Sequence, residues 1–426
     1  MVLALSGIRV IDVSQVAAVP MAARHLGDFG ADVIHVENPV TGDSWRYYQA
    51  GQGPGNNGVP SKINYNWENY NRNKRSLTVD LAHQSGQEII HRLVEKADVF
   101  LTNLRQFEME KFKLGYDVLN RINPKIIYGS LSGYGKKGPD KDIPAYDITA
   151  FWARSGMCDM LTQPTLPNPG YRTAIGDNVA GLALAYGIMT ALFHRERTGV
   201  GQEIDVSLLH AGMYQISYDV AGALATDLDF RDWRDEPPAE LSNRAAEANI
   251  PVTYFLRSKL MNPLAAGYYT KDNILLILMM LRPDPYWGRF CKAIGKPELA
   301  NDSRFTLFNA RAENRNLLIS ILDQLFSTKT AAEWEPLLRD IPHAPVRTIK
   351  QAINDPQAEA NNFFVKYTHP EYGQIRMLAN PVNLSKTPAN VRRPAPAVGE
   401  HTVEILRENG FAYEQIEKLK ELKIIK

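Results

Sequence analysis

The chain has 426 residues, 44% hydrophobic and 22% charged, which is ordinary globular usage and excludes a disordered chain. Lys and Arg number 48 against 47 Asp and Glu, so a net charge of +1 gives no global field to hold nucleic acid or an anionic membrane. The two cysteines, Cys158 and Cys291, are too few for a disulfide scaffold or a Cys-based zinc site.

The first part of the chain alternates strand and helix signals. Ile8–Ser14 is a β-branched run, and Val16–Phe29 is alanine-rich and helical, with Pro20 tolerable near its first turn and Gly30 as its C-cap. Ala31–Glu37 is a second strand, which completes a parallel βαβ unit. The alternation continues with strand Ser76–Asp80, helix His83–Lys96, strand Asp98–Thr102, helix Tyr116–Asn123 and strand Lys125–Ser132. A doubly wound α/β layer follows from this pattern. Asp177–Arg197 reads as a helix that is apolar nearly all round, with Asp177 as N-cap, and therefore as a helix buried within the fold. Glu203–Ser207 is a further strand.

Composition changes near Thr226. The stretch to Asn249 is dense in Asp, Glu, Arg and Pro and reads as an exposed linker. Beyond it, Tyr268–Asn273 is a turn between strands, and Pro285–Ile294, Ala310–Phe326 and Thr330–Asp340 are helical, as expected of a second, smaller domain. Ala344–Arg347 is strand-like, and Gly399–Gly410 reads as a helix with Gly410 as its C-cap. The N-terminal decapeptide lacks the basic-then-apolar pattern of a leader, and the apolar stretch Gly181–Phe193 is too short to span a bilayer easily. A soluble, cytoplasmic protein is expected.

Glu37 at the end of the second strand invites a nicotinamide-cofactor reading, since an acidic residue there can hold a ribose diol. The turn Ser14–Pro20 contains no glycine, however, so nothing lets the backbone approach a pyrophosphate. The histidines show no metal-ligand spacing, and no metal is expected. A stronger signal is Ala174–Gly181, in which Asp177 follows a glycine and opens the apolar helix. As a plain N-cap it would stabilise by about 1 kcal/mol. As a carboxylate kept ionised by the helix N-terminus, it could instead attack an acyl centre.

Several stretches carry a family resemblance: Gly7–Ser14, Leu26–Glu37, Asn73–Asp80, Ala97–Asn103, Ser132–Gly135, Gly176-Asp177, Thr198–Gln202 and Gly399–Thr402. In order and spacing, over nearly the full length, they resemble the class III CoA-transferases, the family of formyl-CoA transferase and crotonobetainyl-CoA:carnitine CoA-transferase. Gly138–Asp147 and Ala150–Gly156 are similar to the branch that acts on 2-hydroxy acids and aryl-lactates.

The resemblance implies an acyl-CoA:carboxylate CoA-transferase with Asp177 as nucleophile, working through aspartyl anhydride and aspartyl-CoA thioester intermediates. Coenzyme A is then a substrate, with no tightly bound cofactor. The implied CoA contacts are Gln15, Val16, Ala17 and Ala18, then Val79, Asp80, Leu81 and Ala82, then Asn103, Leu104 and Arg105. Lys111 would meet phosphate as a point charge, and Tyr146 and Asp147 would lie beside the pantetheine arm. Asn38 stands where formyl-CoA transferase carries an arginine. The implied architecture is α/β: an interlocked homodimer with a Rossmann-like large domain and a smaller α+β domain. Residues 1–225 and 336–426 form the large domain with its return linker, and 226–335 the linker and small domain. The alternatives are an α-methylacyl-CoA racemase-type proton transfer and a non-catalytic CoA-binding paralogue. The racemase histidine corresponds to Tyr146, and a phenol of pKa about 10 is a poor base near neutral pH.

Overall fold

Six parallel strands organise the larger part of the molecule. In the computed structural model, which describes residues 2–48, 61–161, 171–227 and 261–426, these are β1 (Arg9–Val13), β2 (Asp32–Glu37), β3 (Lys74–Thr78), β4 (Val99–Thr102), β5 (Ile127–Ser132) and β6 (Glu203–Ser207). They stand in the order β3-β2-β1-β4-β5-β6, every neighbouring pair parallel. The order reverses between β1 and β4, the place where open α/β sheets build their ligand crevices.

Alternation along the strands sends side chains to two apolar layers. Val10, Val33, Val99 and Ile127 pack on one face with Ala22, Leu26, Leu184 and Ile188. Ile11, Ile34, Phe100 and Tyr128 pack on the other with Ile90, Leu93 and Leu119. Each such fully buried aliphatic or aromatic side chain stabilises the fold by about 1.5–3 kcal/mol.

The helices of this part are α1 (Ala18–Asp28), α2 (Tyr65–Asn71), α3 (Gln84–Val94), α4 (Gln106–Lys111), α5 (Tyr116–Ile122), α6 (Met157–Leu161), α7 (Ile175–Thr198), α8 (Leu208–Gln215) and α9 (Ser217–Thr226). Two helices near the C-terminus, Thr402–Glu408 and Tyr413–Glu421, return to the sheet through Ile405 and Ile416. There the Asp80 amide donates to the Ile424 carbonyl at 2.8 Å. An antiparallel hairpin, Phe364–His369 with Gly373–Leu378, has no counterpart in the sequence reading. It is fastened by the Tyr367 hydroxyl, which donates to Glu68 Oε2 at 2.6 Å.

Three expectations need correction. Gly30 and Gly410 are not the capping residues themselves: Phe29 and Asn409 cap their helices, and each glycine follows with positive φ. Asp177 is not the N-cap of α7. Ala174 holds that position in a left-handed conformation, so the helix begins at Ile175 and Asp177 falls within its first turn. Finally, α7 is buried on one side only, against α1 and the sheet, while Leu182, Tyr186, Met189 and Phe193 are exposed. Its 24 residues are long and apolar enough, by length and composition, to cross a membrane, so the shorter stretch read from sequence understated it. The Ala180–Leu184–Ile188 face nevertheless serves as a sheet-packing surface.

Residues 2–48, 61–161, 171–227 and 360–426 belong to one packed unit, and 261–359 to a second. The second unit is built on a three-stranded antiparallel sheet of Gly267–Tyr269, Leu275–Leu278 and His343–Pro345. Tyr268, Leu276, Phe290, Leu322 and Trp334 form its core. The helix expected over 310–326 is divided at Asn314 into Phe308–Glu313 and Arg315–Phe326. The linker expected at 226–249 lies, from residue 228 onward, outside the described residues.

Candidate functional site

The turn after β1 and the turn after β4 meet at the reversal point of the sheet. The Gln15 amide donates to Asn103 Oδ1 at 3.0 Å, and Asn103 Nδ2 donates back to the Gln15 carbonyl at 2.7 Å. Val16 has φ of +70°, a genuine outlier for a β-branched residue. The turn therefore takes a glycine-like shape without glycine. Its amide is held by Asp43, whose Oδ1 and Oδ2 accept at 3.2 and 3.3 Å.

A groove of about 190 Å³ opens over this turn. Among the residues expected to contact CoA, Gln15, Asn38, Val79, Asp80, Leu81, Ala82 and Leu104 line it. Val16, Ala17, Ala18 and Asn103 lie in or next to the two turns but not in the lining. Ala17 packs with Met21, Trp45, Trp67, Tyr70 and Ala174, so the residues preceding α1 and α7 share one apolar cluster.

Among the described residues no lysine or arginine lines the groove. Arg105 is exposed and pairs with Glu108, Nε to Oε2 at 3.1 Å, with its guanidinium 4.5 Å from the Phe107 ring centroid. Lys111 is exposed at the end of α4, with Nζ 5.9 Å from the Phe112 ring centroid. Asn38 Oδ1 accepts the Val40 and Thr41 amides at 2.9 and 3.1 Å, which shapes the β2 turn. Glu37 has no free acceptor for a ribose. Its carboxylate holds Arg46 through Nε at 2.7 Å and Nη2 at 2.6 Å, and also accepts from Ser76 Oγ and the Asp43 amide.

Asp177 lies at the start of α7 and is half-buried. The acceptor that caps this helix comes from elsewhere: Asp147 Oδ1 takes the Gly176 amide at 3.0 Å. A Cβ on Gly176 would overlap both that oxygen and Phe151, so only glycine fits between the two aspartates. Asp147 is 4% exposed, and among the described residues its Oδ2 accepts no hydrogen bond of good geometry, although Trp152 lies close enough to act on its charge. Tyr146, at the racemase histidine position, is 69% exposed. Near Asp177, the buried Tyr70 hydroxyl donates to Asn178 Oδ1 at 3.0 Å.

Electrostatics reverse the expectation that the helix terminus keeps Asp177 ionised. Burial pushes its carboxyl up to about 7, and the Asp147 carboxylate adds to the shift. Burial likewise pushes Asp147 up to about 6, against the opposing pull of the Ala174 and Gly176 amides. Such a pair of raised carboxyls marks a candidate reactive centre. Among the described residues no group of His, Cys, Asp or Glu is placed to hold a metal ion.

The sequence matches the model of CoA-transferase family III over residues 5–402. The chain belongs to CoA-transferase family III. It is 32% identical over 425 residues to the cinnamoyl-CoA:phenyllactate CoA-transferase of Clostridium sporogenes, which covers 99% of this chain and 97% of that protein. It is 31% identical to the (R)-2-hydroxy-4-methylpentanoate CoA-transferase of Clostridioides difficile, covering 99% of both chains. A CAIB/BAIF family protein from Brucella suis superimposes with a TM-score of 0.75 at 26% identity, over 96% of this chain and all of that one (100%). This family III member is thus a CoA-transferase, an enzyme that moves CoA between acids.

Some residues near these turns had no signal in the sequence. Asp43 and Tyr70 lie far in sequence from the residues they serve. Asp147 was expected to contact CoA, and its position against the start of α7 requires the fold.

Proposed function

We propose that the enzyme transfers CoA between carboxylic acids through covalent intermediates on Asp177, with a 2-hydroxy acid as one partner. The observation that carries this reading is the placement of the Asp177 carboxyl within the first turn of α7, next to the Gly176 amide that Asp147 accepts, with burial and Asp147 pushing it up to about 7. At neutral pH a substantial fraction is ionised, and partial desolvation leaves that carboxylate a better nucleophile than one in bulk water.

In the proposed sequence, the Asp177 carboxylate attacks the acyl-CoA carbonyl and forms a mixed anhydride, expelling CoA thiolate. The thiolate attacks the aspartyl carbonyl, giving an aspartyl-CoA thioester and releasing the first acid. The acceptor carboxylate attacks this thioester and expels the thiolate again. Attack of the thiolate on the new acyl group then yields the product thioester and restores Asp177. Each step exchanges one acyl bond for another, so neither ATP nor a metal enters the balance. Backbone amide donors must stabilise each tetrahedral oxyanion.

The 2-hydroxy acid assignment is supported by the two clostridial relatives, whose names specify phenyllactate and (R)-2-hydroxy-4-methylpentanoate. CoA is read as occupying the groove over the β1 turn, with Gln15, Asp80 and Leu104 among its contacts. The functional unit is read as a homodimer, the interlocked form that the family resemblance implies. The apolar residues left exposed on α7, together with α9, which has no buried residue, are suited to be covered by a second copy.

The test is transfer from a donor acyl-CoA to a panel of phenyllactate, 2-hydroxy-4-methylpentanoate, carnitine-like betaines, oxalate and succinate. Turnover confined to the hydroxy acids and abolished in Asp177→Asn supports the reading. Turnover with oxalate or succinate alone overturns the substrate class, and full activity in Asp177→Asn overturns the mechanism.

A further inference from the structure

Beneath the groove, four charged side chains from four segments form one buried chain. Lys74 Nζ, on β3, donates to Asp12 Oδ2, on β1, at 2.8 Å and to Asn71 Oδ1 at 2.9 Å. His35 Nδ1, on β2, is 2.9 Å from the same Asp12 oxygen. On its other side, His35 Nε2 stands 3.4 Å from Asp43 Oδ2. None of these side chains is more than 1% exposed. His35 therefore lies between two carboxylates, hydrogen-bonded to Asp12 and in ion-pair range of Asp43 without a hydrogen bond to it.

Each carboxylate grips one end of the β1 turn. Asp12 Oδ1 accepts from the Ser14 hydroxyl. Asp43 accepts the Val16 amide and also the Trp45 amide, the latter at 2.8 Å. Gln15, between them, is tied to Asn103. Three consecutive residues are thus held from three directions, and Ser14, Gln15 and Asp43 all face the groove. An apolar side chain at position 35 would fill the space but link nothing. The backbone that the charged chain reaches, through Asp43, is the amide of the left-handed Val16.

We propose that Asp43 is a positioning residue for the acyl-CoA site, holding the glycine-free β1 turn in its binding shape through the Val16 amide, and that His35, Asp12 and Lys74 hold Asp43 in place. This rests on the reading that the groove takes CoA. A turn imposed from outside should lose its need for Asp43 once residue 16 adopts positive φ without strain, as glycine does.

The experiment measures CoA affinity by calorimetry in wild type, Asp43→Ala, Val16→Gly and the double variant, with circular dichroism as the check on folding. Asp43→Ala is expected to weaken CoA binding by roughly tenfold or more, the factor to which the conformational cost of one strained residue converts. It should raise KM for the acyl-CoA but not for the acceptor acid, a split that a general loss of stability would not produce. In the Val16→Gly background the same substitution should cost less than about a third of that factor, because neighbouring residues that act as a unit are non-additive. Equal losses in both backgrounds, or unchanged affinity in a folded Asp43→Ala protein, would overturn the proposal. If Asp43→Ala does not fold, His35→Gln carries the same comparison, and unchanged CoA affinity in that folded variant overturns the proposal equally. Failure of the wild type to bind CoA would overturn the transferase reading and this inference together. Wild-type binding with unaffected variants would overturn the inference alone.

Discussion

Asp147 Oδ1 accepts the Gly176 amide at 3.0 Å, so one carboxyl caps the helix whose first turn carries another, Asp177. The like charge raises Asp177 beyond what burial alone does. If Asp177 must be ionised to attack, kcat/KM for the acyl-CoA should rise with pH to a plateau above about 7. Asp147→Asn keeps an oxygen for the Gly176 amide but removes the charge, so the midpoint should move to lower pH. A pH–rate profile checks this. A limb that is unmoved, or moved upward, would contradict the account.

The same shift bears on stability. A carboxyl raised to about 7 in the folded protein costs stability when ionised. The cost is complete above pH about 7 and disappears below the unfolded value near 4. Asp177→Asn removes it, so the variant should be more stable than wild type at pH 8, by at most about 4 kcal/mol, with the difference vanishing as pH falls towards 4. Thermal melts across this range provide the measurement.

Glu108 competes for Arg105, which the family resemblance assigns to CoA, and itself lines the groove. Glu108→Gln frees the guanidinium and removes a like charge from an anionic ligand's path. The pair is exposed and so worth at most about 1 kcal/mol. CoA affinity should therefore increase by only about two- to fivefold, and a titration at low ionic strength is the sensitive assay.

Tyr218 is 90% exposed on α9 and Phe193 65% exposed on α7. Under a second copy these positions would be desolvated, and Tyr218→Glu with Phe193→Glu should lower the melting temperature and give misassembled or aggregated protein in sedimentation, because interlocked subunits cannot part without unfolding. On a free surface the same changes would stay within about 0.5 kcal/mol and leave the mass unaltered.

The parallel sheet was legible because its strands are short β-branched runs that alternate with helices, and burial on both faces makes such runs conspicuous. Seven of the residues that the family resemblance assigned to CoA come together along one groove, from the turns that follow β1, β2, β3 and β4. What was illegible depends on partners distant in sequence. The glycine-free turn gave no hint that Val16 adopts positive φ, because Asp43 holds it from 27 residues away. Asp177 reads as an N-cap until the fold supplies Asp147, 29 residues before Gly176, as the capping acceptor. The hairpin of residues 364–378 lacks a clean apolar face, since both of its strands are mostly exposed or half-exposed.

The central claim is that CoA becomes covalently attached to Asp177. Incubation with a donor acyl-CoA, reduction with borohydride and peptide mass spectrometry test it directly, because reduction converts an aspartyl thioester to the alcohol of homoserine. The account predicts homoserine at position 177, dependent on the acyl-CoA and absent from a folded Asp177→Asn protein. An unmodified Asp177 in an enzyme that is turning over, or full transfer by Asp177→Asn, would contradict it.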